Sequence, residues 1–260
     1  MWELYDRLIG GISPEPVVED YQVGLTWTLL RAEGNSGVAL TVKGRAHVPV
    51  YTGPVIGRSL RQIAGCVKSW NFQEASLGMA AINCWYNTPE RVNALGGFAG
   101  LNLRDESLES NVKKDAFRIL ASEAAGKKVA VIGRFPRLEE QLAPVCRLSV
   151  LERTPERGDY PDSACEYILP EQEMVFITGM TFINKTLPRL LQLTAPGARV
   201  ILVGPSVPLT PLLREFGVTD LDGFCVTNPE KAREAVRRGN SADLFLGGKM
   251  VEIRCKDRIE

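Results

Sequence analysis

The segment 178–186, TGMTFINKT, carries the densest set of reactive and hydrogen-bonding groups in the sequence. Threonine hydroxyls, the Asn184 amide and the Lys185 ammonium lie within a few positions of one another and could bind a polar ligand. A helix that begins near Thr186 would also present free N–H groups to an anion. Ordinary capping of that helix by Asn184 or Thr186 is the alternative, but one cap accounts for only one polar residue. The ligand-binding residues predicted in this segment are Thr178, Gly179, Thr181 and Asn184.

Three further loops follow apolar runs and hold candidate ligand contacts. The first run ends at Gly133 without a GxGxxG motif, so we expect no standard NAD site. The second ends at Glu152; an acid at this place often binds a ribose diol in nucleotide-binding sheets, and a solvated carboxylate is the equal alternative. The last run ends in Gly204, Pro205 and Ser206, where proline stiffens the loop and the serine is expected to be exposed at the same edge of the sheet.

Two amides, Asn83 and Asn87, lie four residues apart in a very apolar helical pattern and therefore share one face of the helix. A buried amide without partners costs about 1–3 kcal/mol. The amides thus either tie the helix to a neighbouring loop or face a cleft and recognise a ligand, and the sequence leaves both open. Glu74, earlier in the same pattern, is a candidate acid or base, or simply an acid favoured near a helix N-terminus.

Composition narrows the classes of partner. The 260 residues include 31 Lys+Arg and 31 Asp+Glu, so the chain lacks the positive excess that binding to nucleic acid or anionic membranes requires. One histidine, His47, and six cysteines with no CxxC pair indicate no direct metal site. The sequence shows no secretion signal and no membrane-spanning run. We expect a cytoplasmic protein with buried free thiols, and a homodimer is left open.

Residues 1–105 must position the amide-bearing helix, and their pattern predicts a small α+β domain. A strand over 21–30, a turn-prone EGNSG and a second strand over 38–42 predict an antiparallel hairpin. Two helical patterns follow, over 59–68 and 72–87.

Residues 106–260 must position the strand-end loops, and they alternate between short apolar runs and helical patterns. Near-continuous apolar runs are typical of parallel strands covered on both faces. The alternation predicts an α/β fold with a Rossmann-like, doubly wound parallel sheet. The predicted strands are 129–132, 148–151, 174–177, 200–203 and a terminal strand 249–255; the predicted helices are 115–125, 187–193, 209–215 and 229–238.

Five motifs carry a family resemblance: GLT at 24–26, GVA at 37–39, GMAAIN at 78–83, TGMTFINKT at 178–186 and GPSVP at 204–208. Together they resemble the heavy-metal chelation family of uncharacterised prokaryotic proteins, over nearly the whole chain. Members of that family pair an enolase-N-terminal-like domain with a Rossmann-like domain. The chain departs from the family pattern at Lys185, where glycine is expected, and at Cys84, where alanine is expected.

The resemblance implies a site where the two domains meet, built from the amide-bearing helix and the strand-end loops. It implies condensation or hydrolysis of a pterin-, flavin- or siderophore-like molecule connected with metal handling. Glu74, Glu152 or Lys185 would then supply acid, base or charge. The cleft residues that the resemblance favours are Asn83, Thr178, Gly179, Thr181, Asn184, Gly204, Pro205 and Ser206.

The sequence is compatible with three functions. The first is an enzyme acting on such a ligand, and the second is a non-catalytic protein that binds a metal–chelate complex. The third is an S-adenosylmethionine-dependent methyltransferase, suggested by the sheet and by Glu152 but weakened by the missing glycine-rich first loop. Direct chelation of a soft metal would need clustered Cys or His, so we favour an organic chelator over a bare metal.

Overall fold

The structure, a computed structural model, describes residues 2–43, 47–103, 107–108 and 115–255, so the predicted boundary at 105/106 lies outside the described residues. The first unit contains an antiparallel sheet in the order β1-β2-β3. Its strands are β1 (Val18–Val23), β2 (Trp27–Ala32) and β3 (Asn35–Leu40), and its helices are α1 (Glu3–Gly10), α2 (Leu60–Ala64), α3 (Phe72–Tyr86) and α4 (Pro89–Ala94).

Helix α3 is the centre of the first unit. It begins where the Asn71 side chain accepts a hydrogen bond from the backbone N–H of Glu74, which confirms the predicted helix and satisfies a free N–H. The helix packs against β3 at Gly37, where a Cβ would collide with the backbone of Ala80 and Cys84. Glycine at this position therefore allows the helix and the strand to approach closely.

The second unit is a seven-stranded sheet in the order β10-β9-β8-β7-β4-β5-β6, parallel except where β10 pairs with β9. Numbered along the chain, the six parallel strands have the doubly wound order 3-2-1-4-5-6, which confirms the predicted Rossmann-like α/β fold. The strands are β4 (Lys128–Ile132), β5 (Arg147–Glu152), β6 (Tyr160–Pro161), β7 (Met174–Thr178), β8 (Arg199–Val203), β9 (Asp220–Val226) and β10 (Gly248–Arg254). The helices are Ala116–Ala124, Leu138–Leu142, Cys165–Ile168, Met180–Ile183, Leu187–Leu193 and Pro229–Arg238.

Both faces of this sheet are buried, as the apolar runs predict. On β4, Val129 and Val131 pack with helix Ala116–Ala124 on one face. Ala130 and Ile132 belong to the core of the opposite face, which continues into the first unit. Alternate residues of one strand therefore enter different cores, as the two-residue period of a strand requires.

The two units share apolar packing. Trp27, Leu29 and Val38 of the first sheet lie in one buried cluster with Phe224 and Val226 of β9. The junction between the units is therefore filled by side chains where these strands meet. Within the described residues, no helix is both long enough and apolar enough to cross a bilayer.

Two predicted elements differ in the structure, and two strands were not predicted. The strand predicted over 21–30 is two strands, because the chain turns at Gly24, whose N–H donates to the Trp27 carbonyl at 2.9 Å. Alternation continues through both strands and hides the turn. The helix predicted over 209–215 is a 3-10 segment, Pro211–Phe216, because it opens on a proline and follows another. Strands β6 and β9 were missed, since β6 has two residues and β9 contains two aspartates.

Candidate functional site

The candidate site is a cleft at the carboxyl ends of β4, β5 and β7, with a volume of about 360 Å³. We call it the sheet-edge cleft. Strand order reverses between β4 and β7, so the connections leave these strands towards opposite faces and open a crevice between them. Its polar and charged lining residues are Glu152, Arg153, Asp162, Ser163, Glu166, Thr178, Thr181, Asn184, Lys185, Thr186 and Arg189. Its other lining residues are Ile132, Gly133, Leu151, Cys165, Met180, Leu190 and Leu193.

The hydroxyls and amide predicted from segment 178–186 come together in this cleft. Thr181 donates from Oγ1 to the Thr178 carbonyl at 2.7 Å, and Thr178 Oγ1 accepts from the Met180 N–H at 3.3 Å. Asn184 Oδ1 accepts from both the N–H and the hydroxyl of Thr186. These bonds hold the amide in place and leave Asn184 Nδ2 without a hydrogen bond to the described residues. The loop therefore presents ordered donors and acceptors to the cleft.

The helix after this loop is too short to be an anion site in its own right. It spans only Leu187–Leu193, and its N-cap residue, Thr186, makes no capping bond with its side chain. Any anion in the cleft would therefore depend on side chains rather than on a helix terminus.

Lys185 lies at the boundary between the cleft and the first unit. Its Nζ donates to the carbonyls of Ser69 and of Ile183, the latter at 2.6 Å, and lies 5.2 Å from the centroid of the Phe72 ring. Burial lowers the pKa of Lys185 to about 8, although the nearby carboxylate of Glu74 opposes the shift. The amine is therefore easier to deprotonate than an exposed lysine.

Glu152 lies at the end of β5, as predicted, and lines the cleft. Its Oε1 accepts from the backbone N–H groups of Arg153 and Thr154, at 2.7 and 3.4 Å. Its other oxygen has no bond to the described residues. The carboxylate is thus oriented by its own loop and retains capacity to accept from a ligand.

The ion pair of Glu166 and Arg189 also lines the cleft. Arg189 donates to both carboxylate oxygens of Glu166, the Nε bond to Oε1 being 2.9 Å long. The hydrogen bonds and positive charge of Arg189 lower the pKa of Glu166. The pair therefore stays ionised across the physiological range.

The predicted residues Asn83 and Asn87 connect the two units instead of lining this cleft. Asn87 Nδ2 donates to the carbonyls of Val207 and Phe224, at 2.9 and 3.1 Å, and its Oδ1 accepts from the Leu209 N–H at 2.7 Å. All three partners belong to the second unit, so Asn87 ties α3 to the Rossmann-like sheet.

Asn83 makes a similar tie through one of its two polar atoms. Its Nδ2 donates to the carbonyls of Val38 at 2.8 Å and Pro205 at 3.2 Å. Its Oδ1 is buried without a hydrogen-bond partner among the described residues. The sequence-based alternative of a tie to a neighbouring loop thus describes the bonds that both amides make.

Three other predicted residues lie outside the sheet-edge cleft. Glu74 accepts from the N–H groups of Val50 and Tyr51, at 2.8 and 2.7 Å. Ser206 is buried and accepts from the Leu40 N–H at 2.9 Å, so the expectation of an exposed serine is wrong. Gly179 is placed so that a Cβ would collide with the backbone at Ser206, which lets the β7 and β8 loops approach closely.

Gly204 and Pro205 line a different cleft, at the carboxyl end of β8 and beside Asp222 of β9. The strand-end loops predicted as one site are therefore divided between the two faces of the sheet. Neither cleft is lined by a described residue of the first unit.

The described residues contain no group of three or more His, Cys, Asp or Glu side chains arranged to hold a metal ion. The six cysteines are free, and Cys165 lines the sheet-edge cleft. Burial, with the nearby charge of Asp162, raises the pKa of Cys165 to about 11. This thiol is therefore protonated at neutral pH, whereas soft metals bind the thiolate.

The cleft also contains residues that the sequence did not suggest, among them Arg153, Cys165, Glu166 and Arg189. Arg153 immediately follows the predicted strand-end acid, so its position along the chain was a usable signal. Glu166 and Arg189 enter from neighbouring helices, and their ion pair requires the three-dimensional arrangement.

Comparison with known proteins identifies the family of this chain. A model of the DUF364 family, described as "putative heavy-metal chelation", matches residues 115–255. The chain belongs to the DUF364 family. A model of DUF4213, with the same description, matches residues 5–86. The resemblance found in the sequence motifs is thereby confirmed.

The chain is similar to a DUF364 protein of unknown function from Desulfitobacterium hafniense, whose crystal structure superposes with a TM-score of 0.86 at 40% identity, over 98% of each chain. A second DUF364 crystal structure, from Pyrococcus horikoshii, has a TM-score of 0.77 at 24% identity and covers 96% of this chain and 98% of its own; it shares the fold. An uncharacterised protein of Methanocaldococcus jannaschii is 27% identical over 244 residues, which are 88% of this chain and 86% of that protein.

Proposed function

We propose that this DUF364 protein binds an organic metal chelator, of siderophore or pterin type, in the sheet-edge cleft. The observation that carries the proposal is the set of groups on the cleft wall. Neutral donors and acceptors from Thr178, Thr181 and Asn184 lie beside the charged side chains of Glu152 and Arg153. Metal then reaches the protein already bound to its chelator.

The size and lining of the cleft support an organic ligand. Its volume of about 360 Å³ lies in the range of small-molecule sites, which combine apolar walls with a few placed polar groups. Ile132, Leu151 and Leu190 provide apolar surface for a ring. The hydroxyls and amide orient the polar edge of that ring.

The protonation of the cleft thiol argues against a bare soft metal as the cargo. Cys165 is held as a thiol by burial and by nearby negative charge, and its pKa is about 11. Glu166 pairs with Arg189, and one oxygen of Glu152 accepts from its own loop, which leaves the other Glu152 oxygen available. A bare ion needs more ligands than this one oxygen, whereas a chelate brings its own.

The second candidate function is an enzyme of condensation or hydrolysis acting on the same ligand. One observation favours it: Lys185 lines the cleft, and its pKa is lowered to about 8. A lysine in this range can accept a proton near neutral pH. Ligand binding without turnover indicates a binding protein. Turnover that is lost in Lys185→Met indicates the enzyme.

The six free cysteines support a cytoplasmic location, because disulfides form and persist in oxidising compartments. Five of them are buried. We therefore propose that chelator binding takes place in a reducing environment.

Isothermal titration calorimetry tests the proposed function. The probes are 2,3-dihydroxybenzoate, its iron(III) complex, iron, nickel and zinc salts alone, and S-adenosylmethionine. We expect the iron complex to bind and the bare salts to give no stoichiometric heat. Stoichiometric binding of a bare metal, or binding of S-adenosylmethionine in place of the complex, would overturn the proposal.

A matched pair of variants locates the binding. Thr178→Val removes a cleft hydroxyl while keeping the side-chain shape, and Thr52→Val makes the same change at an exposed position of the first unit. We expect Thr178→Val to weaken binding of the iron complex by about tenfold and Thr52→Val to leave it unchanged. Equal affinities for both variants would move the site away from this cleft.

A further inference from the structure

A second cleft, of about 320 Å³, lies on the face of the sheet covered by helix Ala116–Ala124, at the carboxyl end of β8 and beside Asp222 of β9. We call it the Asp222 cleft. Its wall is mainly aromatic and apolar, and Asp222 lines it. Its lining residues include Phe117, Phe135, Phe245, Met250, Asp115 and Asp222.

Asp222 is a buried acid without the partners that buried acids normally have. Only 1% of the residue is exposed, and its Oδ1 has no hydrogen-bond partner among the described residues. Asp220, two residues earlier on the same face of β9, shows the contrast: its carboxylate accepts from Nε and Nη2 of Arg199, each at 2.8 Å. The backbone N–H of Ala116 bonds to the carboxyl group, but no described residue satisfies Oδ1, and a buried polar atom without a partner is destabilising.

The direction of the Asp222 side chain points to the cleft. On β9 it lies on the same face as Phe224, and it pairs across the sheet with Val203 on one side and Glu252 on the other. Val203 and Met250, on that same face of the neighbouring strands, also line the cleft. The unpaired oxygen is therefore on the face that the cleft occupies.

The surroundings of Asp222 favour its neutral form. Burial raises its pKa well above the usual value, and the charges of Asp115 and Glu252 raise it further, while the backbone N–H of Ala116 opposes the shift. A protonated carboxyl group has an O–H donor and a C=O acceptor side by side. That pair complements a ring nitrogen next to an amino group, which is the amidine edge of aminopyrimidine and aminopurine rings.

The aromatic wall fits a flat ring. Phe117 and Phe135 lie with ring centroids 4.9 Å apart, and Phe245 lies on Phe224 at 5.7 Å in an edge-on arrangement. Aromatic side chains and Met250 favour planar, polarisable partners.

We propose that the Asp222 cleft is a second ligand site, which binds a planar, uncharged nitrogen heterocycle through an amidine edge paired with the carboxyl group of Asp222. The site goes beyond the proposed function, because it lies on the other face of the sheet and recognises its ligand through a buried carboxyl group. Nucleobases and pterins both carry this edge.

Fluorescence titration with 2-aminopurine and with pterin tests the site, because stacking on aromatic side chains quenches both probes. Asp222→Asn keeps a donor and an acceptor side by side, whereas Asp222→Leu keeps the approximate size and removes both. We expect Asp222→Asn to bind within about threefold of the wild type and Asp222→Leu to bind at least about tenfold more weakly. Probe binding that Asp222→Leu weakens supports the site, and the tighter-binding probe identifies the preferred ring.

Two controls distinguish loss of binding at the Asp222 cleft from a general effect of the substitution. Asp6→Leu makes the same substitution at an exposed residue of helix α1, outside both clefts, and should leave probe binding unchanged. Thermal unfolding checks that Asp222→Leu is folded, because the substitution removes the unsatisfied Oδ1 but also the bond with the Ala116 N–H. The proposal is overturned if neither probe binds the wild type, if folded Asp222→Leu binds as well as the wild type, or if Asp222→Asn loses binding as Asp222→Leu does, since that last result indicates a cation on a charged carboxylate.

Discussion

The ammonium group of Lys185 donates to the backbone carbonyl of Ser69, which joins the cleft loop of the second unit to the segment that precedes helix α3. Lys185 adopts a left-handed backbone conformation, with φ of 66°. This conformation is the physical reason for expecting glycine at the position. The lysine therefore accepts some backbone strain and forms a contact between the units that glycine cannot make.

The lowered pKa of Lys185 predicts a pH dependence of stability. The unfolded chain holds this proton up to its usual pKa of 10.5, whereas the folded chain releases it from about pH 8. The unfolded state thus binds more protons between these values, and the stability of the folded state rises with pH there. Relative to Lys185→Met, the wild type should gain about 1–2 kcal/mol between about pH 7.5 and about pH 9.5.

Urea unfolding of both proteins at the two pH values measures this difference. The thiols that titrate in the same range are common to both proteins and cancel. A constant difference would show that the Lys185 amine has the pKa of an exposed lysine.

The buried hydrogen bonds of Asn87 predict that its substitution lowers the free energy of unfolding, with or without a ligand. Asn87→Ala leaves two carbonyls and one N–H of the second unit without partners in a buried position. Each unsatisfied group costs about 1–3 kcal/mol, so we expect a loss of about 3–4 kcal/mol in the free energy of unfolding. Asn93→Ala, at an exposed position of helix α4, should change it by less than about 0.5 kcal/mol. A loss below about 1 kcal/mol for Asn87→Ala would contradict the tie between the units.

Gly37 predicts that close contact of β3 and α3 is required for folding of the first unit. A Cβ at this position would enter the backbone of α3 at Cys84, so Gly37→Ala should destabilise the protein by about 3 kcal/mol or more. Gly10→Ala is the matched control, because no atom lies within 4 Å of the Cβ it would add. Thermal unfolding compares the two; similar melting temperatures would show that the helix and strand can separate at little cost.

The fold could be predicted from the sequence wherever the apolar residues of a segment followed the pattern of a single type of secondary structure. The apolar runs that became β4, β5, β7 and β8 are buried on both faces and therefore differ from helices and hairpins. Strand β9 was not predicted because Asp220 and Asp222 interrupt its apolar pattern. Asp220 is neutralised by Arg199, twenty-one positions away along the chain, and no local pattern reveals that pairing.

The candidate site was predictable for a similar reason. Parallel strands bring their carboxyl ends to one edge, so Gly133, Glu152 and Thr178 meet in the sheet-edge cleft although they are far apart in sequence. Two features were not predictable. The backbone groups of the second unit that bond with Asn83 and Asn87 are distant from them in sequence, and the opposite faces of the sheet divide the strand-end loops between two clefts.

The most direct test of the central claim is the position of the metal in a crystal soaked with the iron(III) complex of 2,3-dihydroxybenzoate, located by anomalous scattering at the iron edge. The account predicts an iron peak inside the sheet-edge cleft, coordinated by the chelator oxygens, with Thr178 and Asn184 bonded to the organic ligand. An iron atom bonded directly to Cys165, Glu152 or Glu166, with no chelator density around it, would contradict the account.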